Sequence, residues 1–251
     1  ASFLYAQSRG AFVGLIVGLA LFFAVRGLLA KEKRIRLLMG GAVIAVLLGY
    51  VSAYIFRASE FIATSPFARL VSFDIGGTTT RFIAWRIAWK GFLEKPFFGW
   101  GLDNFHILFN AKYNPQSMRF GLQETWFDRT HNTVLDVLSM TGIAGAVTFF
   151  GIFLVLFLVL YRAYRKQMLD AHSLAVLVAL PIAYFVQNLF VFDHPAAFAM
   201  SFLLYALVIG VTRIEFRGGN DAVSTVTGKS RPFSPALAVV IGCTALLLVW
   251  R

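Results

Sequence analysis

Six side chains scattered through the sequence are of types that could handle a charged substrate: Arg9, Arg81, Trp85, Arg86, His131 and Asn132. A guanidinium is permanently charged and forks onto the oxygens of a phosphate or carboxylate. An imidazole takes up or gives back a proton near neutral pH, and a neighbouring carboxamide can orient it. Metal chemistry is not indicated, because His106, His131, His172 and His194 show no paired ligand spacing and no His-Glu-x-x-His occurs. The one cysteine, Cys243, lies in an apolar run, which excludes a disulfide within the chain and a cysteine-based metal site. No Gly-x-Ser-x-Gly nucleophile elbow is present either.

The elements that must hold these groups are membrane helices. The 251 residues are 59% hydrophobic and only 14% charged, where a soluble domain carries about 25% charged residues. Six runs, near 10–30, 37–56, 142–162, 172–192, 195–213 and 234–250, are long enough to span a hydrocarbon core of about 30 Å. The formal net charge of +11 does not point to nucleic acid, because the cations flank apolar runs or lie in one long loop and form no basic stripe. The sequence opens in mid-pattern at Ala1 and stops at Arg251 just after an apolar run, as expected of a piece of a longer polytopic protein.

Orientation follows from the short loops. Lys31, Lys33, Arg34 and Arg36 follow the first span, Arg162, Arg165 and Lys166 the third, and Arg213, Arg217, Lys229 and Arg231 the fifth. Alternating helices put all three loops on one side, which the positive-inside rule makes cytoplasmic. The resulting layout is two spans in 1–56, an outward loop in 57–141, three spans in 142–213, a Gly/Ser/Thr-rich cytoplasmic linker in 214–233 and a last span in 234–251. Nine cations in 57–130 do not contradict this, because long loops cross regardless of charge.

Within the loop, 81–95 reads as an amphipathic helix lying on the membrane surface. At about 100° per residue, Phe82, Trp85, Trp89, Phe92 and Leu93 share one face, and Arg86, Lys90 and Glu94 another. Arg81 falls on the aromatic face, about 40° from Trp85, where a charge is more than solvated decoration. Arg86 points to the solvent side. Pro96 ends the helix, and Gly99 and Gly101 permit a tight turn. Ahead of it, Asp74-Ile-Gly-Gly-Thr-Thr-Thr is similar to the phosphate-cradling hairpin of sugar kinases, but the loop is too short for their two-lobed fold, so a glycine turn is expected. His131-Asn132 stands where the loop re-enters the membrane, before a short apolar helix from Val134 to Met140. Arg9 opens the first span on the outward side, against the topological bias, which favours a binding role over a snorkelling end cation.

In this order and spacing, the pieces resemble a known family. They are Ser8-Arg9-Gly10-Ala11, Arg81-x3-Trp85, the run Glu94-Lys95-Pro96-Phe97-Phe98-Gly99-Trp100-Gly101-Leu102-Asp103-Asn104-Phe105, His131-Asn132 with Leu135, Gly142-Ile143-Ala144-Gly145, and Phe190-x2-Asp193. The chain is similar over nearly its whole length to the C-terminal half of the O-antigen ligase/polymerase superfamily of bacterial inner-membrane glycosyltransferases. One departure is Thr80, where the pattern has a small glycine-like residue before the arginine.

The resemblance implies an all-α, GT-C-like polytopic enzyme of lipopolysaccharide or related polysaccharide biosynthesis, with its active face in the periplasm. It would move a glycan from undecaprenyl diphosphate to an acceptor hydroxyl, with inversion and with no metal or other cofactor. The acceptor would be lipid A-core (ligase), a growing glycan (polymerase) or a protein hydroxyl (O-oligosaccharyltransferase). By residue, it implies catalytic roles for Arg9 and Arg81 at the diphosphate and for His131 as base. Arg86, Trp85 and Asn132 are expected to contact substrate. The alternative classes are a transporter or flippase for anionic lipid-linked substrates, whose usual mid-membrane charges are missing here, and a purely structural membrane module.

Overall fold

The structure is a computed structural model describing residues 8–65, 68–71, 75–120, 125–193 and 195–218. Among these residues all regular structure is helical. The elements are α1 (Arg9–Leu28), α2 (Lys33–Ile55), α3 (Glu60–Ala63), α4 (Ala68–Val71), α5 (Ile75–Glu94), α6 (Phe105–Ala111), a 3-10 turn (Pro115–Phe120), α7 (Thr133–Arg165), α8 (Ala171–Asn188) and α9 (Pro195–Gly218). Among the described residues five helices are long and apolar enough to cross a membrane: Arg9–Leu28, Lys33–Ile55, Thr133–Arg165, Ala171–Asn188 and Pro195–Thr212 within α9. The chain is an all-α polytopic membrane protein, as expected. The sixth expected span, 234–250, lies outside the described residues, as do Asp74, His194 and Cys243. α9 runs on to Gly218, so the first residues of the expected linker 214–233 are helical; the remainder lies outside the described residues.

The chain divides into two compact units. The first comprises the described residues within 1–71, 154–186 and 194–251. In α1 the buried residues are Gly10, Gly14, Gly18 and Gly27, of which the first three recur every four residues. Small residues at that spacing let membrane helices approach backbone to backbone. A Cβ on Gly18 would stand 2.9 Å from the Cβ of Ala183 in α8. Leu156, Leu160, Ala163, Leu169, Leu174, Leu177 and Val208 form the unit's apolar core. Among the described residues, none of α2 is buried.

The second unit comprises 72–153 and 187–193. Its core joins Ala84, Ile87 and Ala88 of α5 to Phe105, Leu108 and Phe109 of α6, with Phe127 and Met140. α5 begins six residues sooner than the expected 81, and Gly76 and Gly77 lie inside it instead of forming a turn. Glycine and threonine are poor helix formers, but burial of Thr80 and Ala84 outweighs local propensity. α5 presents three faces. Small residues Ala84, Ala88 and Gly91 pack inward, Arg86, Lys90 and Glu94 are exposed, and the exposed Phe82, Trp89 and Leu93 form the surface suited to a lipid boundary.

α7 breaks at Gly142 (φ 65°, ψ −160°), which separates a short N-terminal helix from the long apolar one. Backbone groups freed by a broken helix need partners. Here the turn after α5 supplies them. Trp100 and Gly101 N–H donate to the carbonyls of Ser139 and Met140 at 2.9 and 2.8 Å. In return, Ile143 and Ala144 N–H donate to Pro96 and Phe97 at 2.7 and 3.2 Å. Trp100 Nε1–H reaches back to the Gly91 carbonyl at 3.0 Å, and Lys95 Nζ lies 4.1 Å over the Trp100 ring. The aromatic-glycine run 96–101 is thus the clasp of the kink.

Candidate functional site

His131 occupies the left-handed region at φ 56°, at the crest of a turn between Thr130 and Asn132. Histidine visits this region more than most side chains do, and surrounding contacts must hold it there. Thr130, fully buried, makes those contacts with every polar atom it has. Its N–H donates to Asp136 Oδ1 at 2.8 Å, and its carbonyl accepts Trp85 Nε1–H at 2.9 Å. Its hydroxyl donates to the Asn132 carbonyl at 2.8 Å and accepts the Asn132 N–H at 3.1 Å.

The imidazole is fixed in turn. Its ring meets Phe127 and Phe192 edge to face, with centroids 5.7 and 5.2 Å away. Nδ1 lies 3.3 Å from the Arg129 carbonyl, an acceptor only, so Nδ1 carries the hydrogen and Nε2 the lone pair in the neutral ring. Arg129 is itself held by an ion pair with Asp103.

Asn132 caps the short helix at the start of α7: its Oδ1 accepts Leu135 N–H at 3.1 Å. Its Nδ2 donates to the carbonyl of Leu189 at 3.2 Å. Arg81, half-buried, donates through Nη1 to the next carbonyl, Phe190, at 3.2 Å. The 187–193 turn is closed by Asn188 Nδ2 donating to Asp193 Oδ1 at 2.7 Å. Arg81, Trp85, His131 and Asn132 are therefore gathered in one unit around Thr130 and the 189–192 backbone. Arg9 belongs to the other unit, where it is the first residue of α1 and half-buried.

Arg86 is exposed and lines a separate cavity with the 3-10 turn. Asp136 and Thr130 were not singled out from sequence. An acid four residues past the Asn132 cap, inside an otherwise apolar helix, was the available signal.

The family model described as O-Antigen ligase matches residues 1–150, more than half of the chain, and the chain belongs to that family. No curated protein matches it. Membership assigns the chain, in general terms, to the ligase and polymerase type of glycosyltransferase-like enzyme, with a lipid-linked glycan and an acceptor as partners.

Proposed function

We propose that this member of the O-antigen ligase family transfers a glycan from undecaprenyl diphosphate to an acceptor hydroxyl at the periplasmic face of the bacterial inner membrane. Lipid A-core is the leading acceptor, with a growing glycan or a protein hydroxyl as the alternatives within the superfamily. The observation that carries this reading is the gathering of Arg81, Trp85, His131 and Asn132 around one buried threonine and one helix-end turn. These residues are distant in sequence, yet one turn and one buried threonine hold a guanidinium and an imidazole in the same compact unit.

In the proposed step the acceptor oxygen attacks the anomeric carbon while the bond from that carbon to the diphosphate oxygen breaks. His131 Nε2 takes the acceptor proton, a role the Nδ1–Arg129 contact leaves open to it. A single displacement of this kind inverts the anomeric centre. Charge developing on the leaving diphosphate is met by Arg81, so no metal ion is invoked. Fixed cations near a low-dielectric boundary stabilise such charge more than they would in bulk water.

The test is a transfer assay in proteoliposomes with an undecaprenyl-diphosphate glycan. His131→Ala should lose about 10²–10⁴ in rate, the usual worth of a general base, and still bind the donor. Turnover near that of the unaltered protein would remove His131 from this role.

A further inference from the structure

A second polar concavity lies in the same unit, and it has the makings of a sugar site. Phe82, Ile83 and Arg86 project from one side of α5, at the i, i+1 and i+4 positions of a helix face. Asn114, Gln116, Arg119 and Phe120, from the 3-10 turn and the residue before it, form the other wall. The cavity measures about 230 Å³. That is below the roughly 300–1,000 Å³ of pockets for drug-sized ligands and suits a group the size of one monosaccharide.

The lining is unusual for a membrane-associated surface. Among the described residues neither Arg86 nor Arg119 makes an ion pair or hydrogen bond, while Lys112 is paired with Glu94 and Arg129 with Asp103. Asn114 Oδ1 accepts the Gln116 N–H, which fixes its carboxamide and leaves its Nδ2 hydrogens for a ligand. Two forks suit an anionic oxygen group, two carboxamides suit hydroxyls, and the exposed rings of Phe82 and Phe120 offer apolar faces to C–H groups. The Phe82 ring is held edge to face against Trp85, at 5.1 Å, which ties this wall to the helix that carries Arg81.

We propose that this cavity binds an anionic sugar unit, one bearing phosphate or carboxylate, of the glycan substrate. The assignment deepens the transfer function and rests on it for the origin of the sugar, but binding is measured without turnover. A lipid headgroup shares the phosphate chemistry yet offers few hydroxyls to the two carboxamides.

The experiment uses the full chain in phosphatidylcholine nanodiscs, titrated by ligand-observed saturation-transfer NMR with glucose 6-phosphate, galacturonate, glucose and inorganic phosphate. Both anionic sugars should bind at least about tenfold more tightly than glucose, as charge-assisted hydrogen bonds require. The double variant Arg86→Gln/Arg119→Gln should lose that advantage, and Arg86→Lys/Arg119→Lys should recover only part of it. His131→Ala should bind both sugars as the unaltered protein does, so failure of the transfer mechanism and failure of this site are separable. The proposal is overturned by absence of binding, by a double variant that binds normally, or by glucose binding equally well. Inorganic phosphate matching glucose 6-phosphate, or phosphatidylglycerol nanodiscs abolishing sugar binding, would overturn it equally.

Discussion

The indole N–H of Trp85 donates to the carbonyl of Thr130, 45 residues away, and so ties α5 to the turn that carries His131. Trp85→Phe keeps an aromatic ring, though a smaller one, but leaves a fully buried residue's carbonyl without its donor, a loss of about 1–3 kcal/mol. Because the lost contact holds the imidazole's turn, turnover should fall about tenfold while donor affinity changes little. Transfer kinetics and a donor-binding titration on the same preparation check this. A variant with weakened donor binding and unchanged maximal rate would place Trp85 at the substrate instead.

Asp136 supports the same turn from the opposite side. Asp136→Asn retains an oxygen for the Thr130 N–H, whereas Asp136→Ala leaves it unsatisfied. The alanine variant should lose about 1–3 kcal/mol of stability and much of its activity, and the asparagine variant should keep most of both. Thermal unfolding in detergent alongside transfer assays makes the comparison.

Arg81→Lys should behave nearly as badly in transfer as Arg81→Ala. An ammonium keeps the charge but cannot hold the Phe190 carbonyl and present a second N–H edge from a rigid plane. Full rescue by lysine would show that charge alone is used.

Gly99 and Gly142, both with φ near +65°, sit against one another's neighbouring backbone: a Cβ on Gly99 would overlap the Met140 carbonyl, and one on Gly142 the Phe97 carbonyl. Alanine at either site meets both a disfavoured dihedral, about 1–3 kcal/mol, and a clash with main chain that cannot swing aside. Each variant should show lower yield and a Tm several degrees down. Gly151→Ala, where nothing lies within 4 Å, serves as the tolerant control.

Asp170 caps α8, its Oδ1 accepting the Ser173 N–H at 2.7 Å. Lost hydration favours its protonated form, but the side-chain and backbone hydrogen bonds of Ser173 outweigh this. With the charges of His172 and Arg26, they hold the carboxyl below its ordinary range. A depressed folded value means the stabilisation is complete above the unfolded carboxylate pKa of about 3.9 and is lost as pH falls through the folded one. Asp170→Ala should therefore cost about 1 kcal/mol at neutral pH, with the gap closing below about pH 4. Melting curves across pH 3–7 measure it.

Sequence periodicity showed five of the long apolar helices, the amphipathic helix that carries Arg81 and the short helix after His131, because each is a local pattern of apolar and polar residues. It also isolated Arg81, since a cation on an aromatic stripe contradicts its surroundings. What periodicity could not carry was pairing at long range. Nothing in Pro96–Gly101 announces that its backbone completes the hydrogen bonding of a helix 40 residues later, and Thr130 is an unremarked polar residue until its three partners are seen. The start of α5 was misplaced for the same reason, because burial of Thr80 decided it against a run of glycine and threonine. Asn132 was expected at the substrate, and in the structure both ends of its carboxamide are engaged by main chain.

Among the described residues, none of the 23 in α2 is fully buried. At about 1.5 Å per residue it is roughly 34 Å long, slightly more than a hydrocarbon layer of about 30 Å. A span that exceeds the layer by so little is accommodated by a modest tilt or a local thickening of the bilayer, and acyl-chain length becomes an experimental variable of its own. Reconstitution in short- and long-chain lipids should alter the behaviour of this helix before it touches the clasped turn at Gly142.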